Sequence, residues 1–141
     1  MREILFRAKR KDNGNWVEGD LRQDRDLETA YISGWDYYTT EGGLEREPFE
    51  YEIEPETLCQ FTGKTDETGK KIYEKDIVGF IDITSTESGY SEHNCVGEVL
   101  WDEEECCFHV TDRLSAESWE ILNECRILGN TFDNKEILEE F

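Results

Sequence analysis

The stretch from Thr57 to Phe80, TLCQFTGKTDETGKKIYEKDIVGF, sets a polar turn containing Gly63, Asp66 and Gly69 between two apolar runs and closes on Asp76. Glycine reaches left-handed backbone angles without steric cost, and an Asp side chain accepts hydrogen bonds from backbone N–H groups a few residues on. A chain with this stretch must double back here. The flanking runs are short and rich in β-branched and aromatic residues, so the elements on either side of the turn read as strands and not as helices. Gly63, Gly69 and Asp76 have turn roles that need no ligand. Phe61, Ile72, Tyr73, Ile77 and Val78 are core candidates.

The rest of the chain carries the same kind of pattern. Glu3 to Ala8 alternates, with Ile4, Phe6 and Ala8 on one face, and Asp12, Asn13 and Gly14 then lead into Trp16 to Leu21, which predicts a first hairpin. Thr29 to Ile32 and Trp35 to Thr40 read as two strand pieces with Gly34 as a turn or bulge between them. Glu41 to Glu56 holds seven glutamates against one arginine, broken by Gly42, Gly43 and Pro48. That composition predicts an exposed loop around one short edge strand in which Phe49, Tyr51 and Ile53 alternate with glutamates. Asp76 opens a strand over Ile77 to Ile83, a Ser/Thr/Gly loop follows from Thr84 to Glu92, and a second hairpin joins Val96–Trp101 to Cys106–Thr111 through Asp102 to Glu105. Ser115 to Asn123 is compatible with a short helix that turns Trp119 and Leu122 inward. Cys125 to Leu128 reads as a last strand ending at Gly129 and Asn130, and Asp133 with Glu136 is a capping pattern that predicts a helical turn or two over Lys135 to Phe141.

One internal echo stands out. Trp16 to Leu21 and Ile72 to Ile77 share an aromatic residue, a Glu two places before an Asp, and an aliphatic residue directly after it. The shared pattern predicts two similar corners, with Asp20 and Asp76 as their turn formers. The expected fold is therefore mainly β: an antiparallel twisted sheet or a small, partly open β-barrel of roughly eight strands, with a short C-terminal helix. A single domain over residues 1–141, with an acidic elaboration at about 41–56, is consistent with the length.

Charge excludes several function classes. The 35 acidic residues against 15 basic ones give a net charge of -20, which repels phosphate backbones and anionic membrane surfaces. Direct nucleic-acid and membrane partners are not expected. No apolar run approaches the ~20 residues of a spanning helix. Met1, Arg2 and Glu3 lead directly into strand-like sequence without signal-peptide character, so a cytoplasmic location is expected. Cys59, Cys95, Cys106, Cys107 and Cys125 are odd in number and lack framework spacing, as expected of reduced thiols that pack as small apolar residues.

An ordered set of short segments carries a family resemblance. Arg2-Glu3-Ile4-Leu5-Phe6-Arg7-Ala8, Trp16-Val17-Glu18-Gly19-Asp20-Leu21, Gln60-Phe61-Thr62-Gly63, Gly69 to Val78, Gly97-Glu98-Val99 and Ile127-Leu128-Gly129-Asn130-Thr131-Phe132 together resemble the YopX family of phage and prophage proteins. The main departure is Lys75, where the family usually has glycine. The resemblance implies a small, predominantly β protein encoded by mobile elements. It implies no established activity and no catalytic residues to carry over.

The residues themselves offer weak chemistry. His93-x-Cys95 and Cys107-x-His109 each place two zinc-type ligands on one strand face, and such pairs can meet across a hairpin, yet no C-x-x-C pair is present and packed cysteines are the expected reading. Carboxylates are abundant but most lie in solvated runs such as Asp102 to Glu105, whereas hydrolysis needs two particular acids in a cleft. Neither histidine has a recognisable Ser or Cys elbow. No catalytic residue, metal or cofactor is expected. The reading that remains is a non-enzymatic module that binds a host or phage protein. Two alternatives stay open: an acidic DNA mimic that occupies a basic groove, and a homo-oligomer in which Trp35, Tyr37, Tyr38 and Phe49 pack between subunits.

Overall fold

Period-two alternation and glycine-containing turns produce eleven antiparallel strands and one short helix in the computed structural model, which describes residues 1–112, 118–121 and 124–139. The described residues divide into two units, Met1–Phe61 and Thr62–Phe141. The strands form two open antiparallel sheets and do not close into a barrel. Among the described residues, no helix is long and apolar enough to cross a membrane.

In the first unit, β1 (Phe6–Lys9), β2 (Trp16–Asp24), β3 (Thr29–Thr40) and β4 (Gly43–Glu52) form a meander, and a 3-10 turn at Pro55–Thr57 leads to β5 (Cys59–Thr65), which pairs with the free side of β1. The division between the units falls within β5. The first hairpin forms as expected, with Gly14 at φ +74° and Asn13 accepting a bond from the Asn15 N–H. Ala8, Ala30, Ile32 and Ile53 make the core, and Phe6, Val17, Leu21, Phe49 and Leu58 pack around it. Gly19 explains one glycine of the family pattern. A Cβ there would overlap the carbonyl oxygen of Ser33 on the neighbouring strand, so only glycine lets β2 and β3 approach.

The second unit contains β6 (Lys71–Tyr73), β7 (Asp76–Thr86), β8 (Gly89–Asp102), β9 (Cys107–Thr111), β10 (Ser118–Glu120), β11 (Arg126–Asn130) and α1 (Glu136–Glu139). Five of these strands form a sheet in the order β10-β9-β8-β7-β11. Its core gathers Ile72, Val78, Phe80, Val99, Val110, Ile121 and Cys125, with the Trp119 ring edge-on to Phe80 at 5.1 Å between centroids.

Several sequence expectations are corrected. Gly34 is neither turn nor bulge: β3 runs unbroken through it, paired with Phe49, whose ring occupies the space that a side chain at position 34 would take. Glu41 to Glu56 is mostly strand, because β4 pairs with β3 from Thr40–Gly43 through Tyr31–Glu52. In the same way, Thr84 to Glu92 is the tip of the β7–β8 hairpin, paired out to Thr86–Gly89, and only Glu87 and Ser88 turn. Backbone hydrogen bonds carry both extensions, so apolar side chains are not needed to form them. Within the expected helix at Ser115 to Asn123, residues 118–120 are strand β10, while residues 115–117 and 122–123, Leu122 among them, lie outside the described residues. The two echoing segments are not equivalent corners. Trp16 to Leu21 lies inside the single strand β2, whereas Ile72 to Ile77 spans β6, a turn at Glu74–Lys75 and the start of β7.

Candidate functional site

Three places were candidates: the corner between Thr57 and Phe80, the cysteine and histidine set, and the acidic and aromatic surface. At the corner, Gly63 (φ +89°) and Gly69 (φ +87°) take left-handed angles with open space around them. Asp66 between them is buried and accepts four hydrogen bonds. Its Oδ1 takes the Thr68 hydroxyl (2.6 Å), the Thr68 N–H (2.9 Å) and the Lys70 N–H (3.0 Å), and its Oδ2 takes the Ile127 N–H of β11 (3.1 Å). Burial by itself raises its pKa. The Thr68 hydroxyl and the N–H groups of Ile127, Lys70 and Thr68 outweigh that and hold it at about 2. Further links join the same segments: Glu67 N–H to the Cys125 carbonyl at 2.9 Å, Glu67 to Arg126 at 2.7 Å, and Lys64 Nζ to the Ile121 carbonyl at 3.0 Å.

Asp76 is 1% exposed and its Oδ2 accepts the Tyr73 N–H at 2.8 Å, closing the β6–β7 turn. Lys75, the departure from the family pattern, sits in that turn at φ +71°. The left-handed angle gives the physical reason for glycine there. Its N–H donates to the Val99 carbonyl (2.7 Å) and its carbonyl accepts the Thr131 N–H (3.0 Å). Asp20 does not share this role, since it is exposed in the middle of β2 opposite Ser33. The Glu-x-Asp-aliphatic pattern has period two and suits an uninterrupted strand as well as a turn. Of the three remaining corner residues, Gly69 and Asp76 close turns of the second unit through bonds to backbone, whereas Gly63, expected in a turn, takes its left-handed angle within strand β5.

The cysteine and histidine residues do not converge on a point. Cys95 pairs with Phe80 and His93 with Asp82 on β7, whereas His109 pairs with Leu100. Cys95 and Leu100 are five residues apart on β8, roughly 17 Å at strand rise. The two Cys/His pairs therefore do not meet across the hairpin, and no group of three or more metal-type side chains assembles among the described residues. What the β8–β9 register does assemble is a row. Cys107 Sγ lies 3.0 Å from His109 Nε2, and the other ring nitrogen, Nδ1, lies 3.2 Å from Asp102 Oδ2. The second contact is an ion-pair contact without hydrogen-bond alignment, and Nδ1 is buried. Because Asp102 is the register partner of Cys107, and residues 107 and 109 share a face, the row follows from strand pairing alone. Sequence reading found the Cys107-x-His109 half of it and missed Asp102, whose position in an acidic hairpin tip gave no distinguishing signal.

The acidic surface is best defined on the β3–β4 hairpin. Trp35, Tyr37 and Thr39 face the same way as their register partners Pro48, Arg46 and Leu44. Trp35 is 46% exposed, Tyr37 62% and Leu44 70%, and the Arg46 guanidinium stacks on Trp35 at 3.9 Å. Tyr38, on the other face, bonds Glu45. Phe49 differs from the expectation for this aromatic set, because it stacks on Tyr51 and packs against the core.

The fold and these surfaces define an all-β protein of two open antiparallel sheets with an exposed aromatic hairpin. Residues 5–139 match the YopX protein family, and the chain belongs to it. A solved structure, the crystal structure of protein EF1440 from Enterococcus faecalis, aligns over 98% of this chain and 99% of that one with a TM-score of 0.58 at 18% identity, a similarity of fold. No curated protein matches the sequence.

Proposed function

We propose that this protein is a phage- or prophage-encoded, cytoplasmic and non-enzymatic interaction module whose protein partner docks on the outer part of the β3–β4 hairpin. The observation that supports this is the exposure of Trp35, Tyr37 and Leu44 on one face of a ribbon that projects no side chain into the core beyond Phe49. Aromatic side chains with a stacked arginine are the residue types that dominate protein interfaces. An isolated two-stranded ribbon is marginal in water, which makes such a long paired hairpin costly to keep without a contact to serve. Pro48 and the glutamates of β4 discourage added strands at its edge, so docking would use side chains.

The test is affinity capture from a host lysate by the parent protein and by a Trp35→Ser/Tyr37→Ser variant with unchanged circular dichroism. The proposal expects a partner that binds the parent directly when purified and is lost with the variant. Recovery of the same proteins by both would refute it. The carboxylates of Glu45 and Glu47 on one face of β4 support the DNA-mimic version, whereas Glu50 and Glu52 on the other face are paired with Arg22 and Lys11. In that case binding to a basic partner weakens steeply with salt and competes with DNA. Light scattering separates either from a homo-oligomer.

A further inference from the structure

The row at the tip of the β8–β9 hairpin is independent of the aromatic face and has a different chemistry. The thiol of Cys107 is half-buried and directed at a ring nitrogen, while Cys106 next to it is exposed and its Sγ lies 3.6 Å from the Glu103 carbonyl oxygen. A hollow opens beside the histidine, lined by Leu100, Trp101, Asp102, Glu103, Glu104 and His109. Thr111 lines it as well, and its anionic wall is the carboxylates of Asp102, Glu103 and Glu104. We propose that Cys107 is a His109-assisted nucleophile that undergoes thiol–disulfide exchange with cationic low-molecular-weight disulfides admitted at this hollow.

The step is balanced by the disulfide itself. The Cys107 proton passes to His109 Nε2, and the sulfur attacks one sulfur of the disulfide. The new S–S bond forms as the old one breaks, and the departing thiolate takes the proton back. Cys107 is oxidised to a mixed disulfide and the leaving sulfur is reduced. Burial first, and then the charges of Asp102 on β8 and Glu105 in the turn, with smaller effects from Cys106 and from Glu120 on β10, raise the Cys107 pKa. The resting group is therefore a thiol, which makes the neighbouring base necessary. The same carboxylates set the charge of the reagent, because Asp102, Glu103 and Glu104 attract a cation and repel an anion.

The experiment uses the full chain with Cys106→Ser, so that the tip carries one thiol, and follows mixed-disulfide formation at Cys107 by mass spectrometry. Cystamine is the cationic reagent and dithiodiglycolate the anionic one. Cystamine should react faster by about tenfold at low salt, with the preference shrinking in high salt and in a Glu103→Gln/Glu104→Gln variant. His109→Gln should slow the cystamine reaction by about tenfold or more. A folded His109→Gln protein that keeps the parent rate would overturn the base, and equal rates for the two reagents at low salt would overturn the charge selection. Should His109→Gln not fold, the reagent comparison on the parent tip still decides.

Discussion

Asp66→Asn removes one charge from the second unit and changes almost no volume, which makes it a clean probe of what holds the turn at residues 66–70 to β11. The carboxylate accepts three bonds within the turn and one from Ile127. An amide has one acceptor oxygen, so whichever way it is turned, either the Ile127 N–H or the Thr68 and Lys70 donors face an NH2 group. A buried donor left without a partner costs ~1–3 kcal/mol. The lowering of the Asp66 pKa to about 2 gives a second measure, ~2 kcal/mol in favour of the ionised form once solvent screening is discounted. The two arguments agree on a loss of ~2 kcal/mol at pH 7. The sign with pH follows from a folded pKa below the unfolded one. The stabilisation is fully present above the unfolded value of about 4 and is lost as pH falls through about 2, so roughly half remains at pH 3. Urea unfolding followed by tryptophan fluorescence, with Trp119 packed on Phe80 as a reporter of this unit, should show a midpoint lowered by ~1–2 M at pH 7 with an unchanged slope. The gap between parent and variant should narrow at pH 3. A variant within ~0.5 kcal/mol of the parent at pH 7, or a gap that widens on acidification, would refute the reasoning.

Other positions test the same architecture. Lys75→Gly relieves a left-handed angle costing ~1–2 kcal/mol and adds ~0.5–1 kcal/mol of unfolded-state entropy, so thermal melting should show a protein as stable as the parent or up to ~1 kcal/mol more stable. Gly19→Ala pushes a methyl group into the Ser33 carbonyl and should destabilise the first unit by at least ~2 kcal/mol, read as a lower urea midpoint; a neutral result would contradict the close approach of β2 and β3. Ile72→Ala empties a fully buried site and should cost ~2–5 kcal/mol by the same assay. Elemental analysis of purified protein should find less than about a tenth of a zinc per chain, since the Cys and His pairs do not converge.

The hairpin turns after Arg10 and at Glu103–Cys106, the latter one residue on from the expected Asp102–Glu105, are local features, and each was legible because its flanking strands alternate within a few residues of the turn. The glycine turn at Gly69 was legible for the same reason, whereas Gly63, read as part of that turn, lies within β5. The family pattern also marked Lys75 as the odd residue in its turn, and the backbone there shows why. By contrast, the outer part of β4, before the edge-strand pattern at Phe49, and the tips of β7 and β8 were read as loops. Their Glu, Ser, Thr and Gly residues give no apolar period, and the pairing that makes them strands uses only N–H and C=O groups present in almost any sequence.

Tertiary structure decided the matters that depend on register. The same short pattern places Asp20 in the open middle of a strand and Asp76 in a buried turn, because the first lies opposite Ser33 and the second follows a reversal of the chain. Asp66 was legible as a turn former, but its bond to Ile127 spans 61 residues and exists only once β11 lies beside that turn. The Cys107–His109–Asp102 row depends likewise on Asp102 standing across from Cys107. Sequence by itself determined that this chain is an acidic, mainly β member of its family, since composition and period are properties of neighbours along the chain. Which carboxylates hold the fold, which meet a histidine and which remain in solvent was set by strand pairing, since that alone fixes which distant residues share a face.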